Sequence, residues 1–136
     1  MRKFTPCVMI AAACAAFGTA ASANGFYLDP RLDVNPVSAT QFEVIEGRGE
    51  GARGMWCAAA LHSVNQLGVQ RGRIYVAQAR GPAVTAQGRK GVVFSTQAVG
   101  DAGPSPSVTL RQVGANLPVQ HALQFCRDYD INSSDF

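Results

Sequence analysis

The chain has 136 residues, 12 basic against 9 acidic, and a formal net charge of +3. Arg2 and Lys3 lie in an N-terminal segment that reads as an export signal, and without them ten basic residues face nine acidic ones. A mature balance near +1 gives no ground for general nucleic-acid or anionic-membrane affinity.

Residues 1–23 carry that signal. Arg2 and Lys3 form the cationic start, 8–17 a short apolar run, and Ala21-Ser22-Ala23 an A-x-A cleavage pattern. Cleavage after Ala23 leaves 24–136, a length that suits one domain with a modest core. The apolar run is far shorter than the roughly 20 residues a spanning helix needs, so stable membrane insertion after cleavage is not expected. A retained anchor and lipidation at Cys14 are the alternatives. Residues 11–13 before Cys14 are all alanine and lack the Leu or Val a lipoprotein cysteine has three residues before it.

Residues 24–40 hold Asp29-Pro30 and Asn35-Pro36, turn-forming pairs that disfavour helix, and read as an extended arm. The remainder, 41–136, reads as one α+β domain. In 41–46 Phe42 and Val44 alternate with Gln41, Glu43 and Ile45, which predicts a strand with Glu43 on the opposite face from Phe42. Residues 47–54 form a glycine-rich turn. The spacing of Cys57, Ala60, Leu61, Val64 and Leu67 then predicts one apolar face of a helix over 55–67, ended by a left-handed Gly68 and the hydrophobic Val69. Alternation predicts further strands over 73–79, 91–97 and 108–113, separated by Gly/Pro-rich turns. Residues 117–119 open a short second helix, on which Val119, Ala122, Leu123 and Cys126 share a face. The expected architecture is a four-stranded, mainly antiparallel meander, with one long helix packed on it and a short C-terminal helix.

Of four cysteines, Cys7 and Cys14 fall in the signal. Cys57 and Cys126 remain and are expected to form a disulfide, given the export signal. Closing a loop of about 70 residues is worth about 4 kcal/mol on the chain-entropy model.

Several patterns touch on chemistry. Residues 49–54 match G-x-G-x-x-G between a predicted strand and helix. The next strand ends in Gln78 and Arg80 instead of an acidic residue, and no alternating β-α order follows, so no dinucleotide cofactor is expected. A small anion at that helix start, held by Arg48, Gly49, Gly51, Arg53 and Gly54, is one alternative; a sharp turn is the plainer reading. Cys57 with His121 as base outlines a thiol hydrolase, a chemistry the disulfide removes. Asp128, Asp130 and Asn132 begin like a calcium loop but lack the turn glycine and the closing Glu, and no His/Cys cluster has zinc spacing, so no metal is expected. The 81–90 connection, with Arg80, Arg89 and Lys90 near its ends, is the best candidate for a partner-binding hairpin.

The runs Met55-Trp56-Cys57-Ala58-Ala59-Ala60, Arg73-Ile74-Tyr75-Val76 and Val92-Val93-Phe94-Ser95 resemble small exported proteins of alphaproteobacterial type over residues 41–97. The resemblance implies a bacterial periplasm and carries no activity, ligand or catalytic residue. Taken together, the sequence favours a periplasmic or secreted, disulfide-stapled binding or interaction module over an enzyme. Its partner is an unknown protein or cell-envelope ligand met through the arginine-bearing loops.

Overall fold

A computed structural model describes residues 30–100, 103 and 108–126. The expected export signal over 1–23, the start of the expected arm, residues 101–102 and 104–107, and the acidic sequence after Cys126 lie outside the described residues.

Five strands and two helices follow in the order β1 (Val34–Pro36), β2 (Gln41–Ile45), α1 (Ala52–Asn65), β3 (Arg73–Pro82), β4 (Lys90–Ser95), β5 (Asn116–Pro118) and α2 (Val119–Gln124). Among the described residues the five strands form one antiparallel sheet in the spatial order β1-β2-β4-β3-β5. The expected meander is therefore corrected. β4 lies between β2 and β3, which makes those two strands parallel to one another and joined through α1, a split β-α-β unit. The sheet has five strands instead of four.

The inner face carries Phe42 and Val44 of β2, Val92 and Phe94 of β4, and Ile74 and Val76 of β3, all fully buried. Register puts Phe42 beside Phe94 and Val44 beside Val92, and the Phe42 and Phe94 rings lie 6.0 Å apart. α1 covers this face: the Trp56 ring meets Phe94 edge-on at 5.0 Å, and its indole N–H donates to the Val108 carbonyl at 3.1 Å. That bond satisfies the one polar atom of the largest buried side chain.

The helix begins a turn earlier than expected. Gly54 to Ala60 are buried without interruption, whereas Leu61, Val64 and Leu67 are only half-buried. From Gly54 to Ala60 the helix is enclosed, with the sheet below and α2 alongside, and small alanines permit that double contact. Gly68 takes φ +68° as the left-handed cap, and the Val69 N–H reaches back to the Ser63 carbonyl at 2.8 Å.

Two further corrections concern the chain ends. The arm contributes a strand, since Val34–Pro36 pairs with β2. The strand expected over 108–113 is absent. There the chain touches β3 at two separate points: the Arg80 N–H donates to the Leu110 carbonyl, and Val76 exchanges bonds with Gly114 and Ala115. β3 is bulged between Val76 and Gln78 and again between Gln78 and Gly81, so a regular ladder cannot run along it. Regular pairing begins only at Asn116–Pro118, where the second helix was expected to open. Each edge strand is three residues long and contains a proline, Pro36 or Pro118, which removes a donor from the exposed edge.

The Cys57–Cys126 disulfide joins α1 to the second residue past α2, with Cα atoms 5.1 Å apart. Both cysteines are fully buried. A six-residue helix has little stability of its own, and this bond together with Val119, Ala122 and Leu123 holds it against α1.

Candidate functional site

The outer face of the sheet is unusual because a carboxylate is buried there. Glu43, on the face opposite Phe42 as the alternation predicts, is 1% exposed. The β3–β4 connection supplies its partners: the Val84 N–H donates to Oε1 at 2.8 Å, the Thr85 N–H to Oε2 at 2.8 Å, and the Thr85 hydroxyl also donates to Oε2. The Asn35 amide donates to Thr85 Oγ1 at 2.9 Å, which ties the same loop to β1. A Cβ at Gly91 would stand 3.0 Å from Glu43 Oε1 and 3.0 Å from the Val44 carbonyl oxygen, so this site needs glycine. The hairpin loop is closed by the Ala83 N–H to Arg89 carbonyl bond at 2.8 Å. It is pinned by β2, the strand beside β4 in the sheet, and is not a free-standing hairpin tip.

At the end of the same hairpin lies a cleft of about 430 Å³ lined by Arg80, Gly81, Lys90 and Arg111. Its geometry follows from a few bonds around Glu46, just past β2. The Glu46 N–H donates to the Lys90 carbonyl at 2.8 Å, and the Arg89 guanidinium donates to the Glu46 carbonyl at 3.0 Å. The Glu46 carboxylate receives Arg80 on both oxygens, Nε at 2.9 Å on Oε2 and Nη2 on Oε1. The side chains are 41% and 25% exposed, so the pair adds at most about 1 kcal/mol of stability. Its effect is orientational, because a fork-shaped contact fixes the guanidinium plane.

Arg111 reaches the cleft by a different route. Leu110 is buried and its carbonyl takes the Arg80 N–H at 2.8 Å, while the Thr109 hydroxyl accepts the Arg111 N–H at 3.2 Å. The anchored leucine sets the exposed arginine beside β3. Among the described residues, no hydrogen bond or ion pair engages the side chains of Lys90 or Arg111. The hairpin cations Arg80 and Lys90 were singled out in the sequence. Arg111 and Glu46 were not, and a contact between residues 34 positions apart leaves no local pattern.

The glycine-turn candidates separate. Arg48 has φ +56° and its Nε donates to the Arg31 carbonyl at 3.1 Å, while Arg53 lies over the Phe125 ring at 5.7 Å from its centroid. Gly49 takes φ +71°, Gly51 is the helix N-cap, and Gly54 is buried in α1. The two arginines thus serve the loop and the C-terminal segment. Cys57 is in the disulfide and offers no thiol, and His121 is exposed with its ring 5.6 Å from that of Phe125. The thiol-hydrolase constellation lacks its nucleophile in this state.

A second concavity runs between β1 and α1, with pockets of about 140 and 420 Å³ that share Val34, His62 and Gln66. His62 packs on Phe42 with ring centroids 4.4 Å apart, and burial pushes its pKa below the usual 6.5. The ring is therefore neutral near pH 7. Among the described residues no group of three or more His, Cys, Asp or Glu is placed to hold a metal, and no helix is long and apolar enough to cross a membrane.

Compared with known proteins, the chain matches no family model, no curated protein and no solved structure. Function must be read from the site itself.

Proposed function

We propose that this protein is an exported, non-catalytic binding module of the bacterial periplasm or secreted space, and that it meets a protein or cell-envelope ligand at the Arg80–Lys90–Arg111 cleft. The observation that carries this reading is the convergence, on a single concavity, of one carboxylate-oriented arginine and two cations that have no partner among the described residues. The buried disulfide supports an oxidising compartment. The residues expected to bear chemistry are occupied elsewhere: Cys57 by Cys126, Arg48 by the Arg31 carbonyl and Arg53 by Phe125. Rigid attachment of the hairpin through Glu43 and Glu46 suits recognition, because a site held in place loses little freedom when it binds.

The test is retention of envelope components on immobilised mature protein, compared with a Lys90→Ala/Arg111→Ala double variant. Salt-eluted material that the wild type holds and the variant does not is the expected result. Equal retention by both proteins would place binding outside the cleft and overturn the reading.

A further inference from the structure

The charge in the cleft specifies its ligand more narrowly. Of its three cations, Arg80 is matched by Glu46, which leaves the charges of Lys90 and Arg111 uncompensated among the described residues. Two uncompensated positive charges beside one oriented guanidinium complement a dianion better than a single carboxylate. Arg80 gives two of its five N–H donors to Glu46 and keeps three for a ligand. Arg111 offers a second planar fork and Lys90 a point charge with three donors, the mixture found where tetrahedral oxyanions are bound. A volume of about 430 Å³ exceeds a bare oxyanion and admits the first group esterified to it.

We infer that the cleft binds a phosphomonoester dianion through Lys90, Arg111 and the free edge of Arg80. This rests on the cleft being the binding site proposed above. The ligand group is a terminal phosphate, free or borne by a larger molecule such as a sugar or a lipid headgroup. Among the described residues the other charged groups beside the cleft are Arg89 and Glu46, and Glu46 orients Arg80 without itself lining the cleft. A phosphomonoester acquires its second charge near pH 6, so binding weakens as pH falls below about 6. Inorganic sulfate stays dianionic and serves as the control whose binding does not change over that range.

The experiment is calorimetric titration of mature protein with inorganic phosphate, glucose 6-phosphate, sulfate and acetate at about pH 5.5 and 7.5. Flotation with phosphatidylcholine vesicles containing phosphatidic acid or phosphatidylglycerol separates a monoester headgroup from a diester. Glucose 6-phosphate is expected to bind at least as well as phosphate, acetate not measurably, and both phosphates more weakly at the lower pH. Binding to phosphatidic acid alone among the vesicles identifies a lipid source; binding to glucose 6-phosphate without flotation identifies a soluble one. Loss of one charge-assisted hydrogen bond corresponds to about tenfold or more in affinity, so Arg111→Ala and Lys90→Ala each weaken phosphate by at least that factor. Both side chains are exposed, and an unchanged melting temperature verifies the variants' fold. Absence of binding by any phosphate, or binding unchanged in both variants, overturns the inference. If envelope retention still depends on the cleft while phosphate neither binds nor competes, the ligand class is wrong and the binding module stands. If retention is also lost, both fail.

Discussion

Replacing Glu43 by glutamine tests the claim that a buried carboxylate holds the β3–β4 hairpin. The substitution preserves shape and one carbonyl oxygen, so the Val84 N–H at 2.8 Å keeps an acceptor. The new amide NH2 then faces the Thr85 N–H, which loses its partner at 2.8 Å, while the Thr85 hydroxyl can rotate to accept. One buried donor left unsatisfied costs about 1–3 kcal/mol. The remaining bonds also weaken, because their acceptor is no longer charged, by about 1 kcal/mol in all. A loss of about 3 kcal/mol is therefore expected, far above the half kilocalorie typical of a change on an open sheet face. Urea unfolding of the disulfide-intact protein measures it. Amide hydrogen exchange at Val84 and Thr85 locates it, with faster exchange expected at both. A loss below about 0.5 kcal/mol with Val84 and Thr85 still protected would refute the reasoning.

Gly91→Ala places a methyl 3.0 Å from a backbone carbonyl and from the Glu43 carboxylate, so a destabilisation of about 1–3 kcal/mol is expected in the same unfolding assay. Reducing the Cys57–Cys126 bond, or replacing both cysteines by serine, releases a sequence separation of 69 residues and costs about 4 kcal/mol, read as a melting temperature lower by some tens of degrees. His62 has a folded pKa below its unfolded value of 6.5, so the unfolded chain binds more protons in that window. Stability is then present above pH 6.5 and is lost as pH falls through the folded pKa. An NMR titration of the His62 ring should give a midpoint under 6.5, and His62→Phe should flatten this part of the pH profile.

The elements defined by short-range patterns were the legible ones. Alternation located β2, and the inward Phe42, Val44, Ile74 and Val76 are those the period-two pattern implies. The same pattern failed at Val108 to Val113. An alternating run becomes a strand only beside a regular partner, and the bulges in β3 deny it one. The disulfide was legible because only two cysteines, Cys57 and Cys126, follow residues 1–23, which read as a signal. The face Glu43 occupies was legible, but its burial was not, for a reason equally physical. An antiparallel sheet with one covered face normally exposes its polar residues, and no local signal says that residues 83–85 return across the sheet to cover one of them. Of the cleft, the hairpin's own cations were visible. Arg111 was hidden because its place depends on a buried Leu110 and a backbone bond to Arg80, a contact made only in the folded chain.

Glu43, in the middle of β2, and Glu46, just past its end, hold the same hairpin at two points. Glu43 takes the loop backbone at Val84 and Thr85, while Glu46 takes the guanidinium groups of Arg80 and Arg89. Fixing one residue's backbone costs about 1–2 kcal/mol of conformational free energy, so ordering even a few loop residues at the moment of binding would offset most of a weak ligand's affinity. In this protein that ordering happens on folding. The energy comes from a carboxylate whose bonds form whether or not a ligand is present. The two acidic residues therefore favour binding of an anion, although by simple charge they oppose it. Glu43 does so through the loop backbone, with its carboxylate engaged by Val84 and Thr85 and absent from the cleft lining. Glu46 does so by holding flat a guanidinium that would otherwise move freely. A hairpin with the same cations but without these two anchors would carry the same charge and present no fixed site.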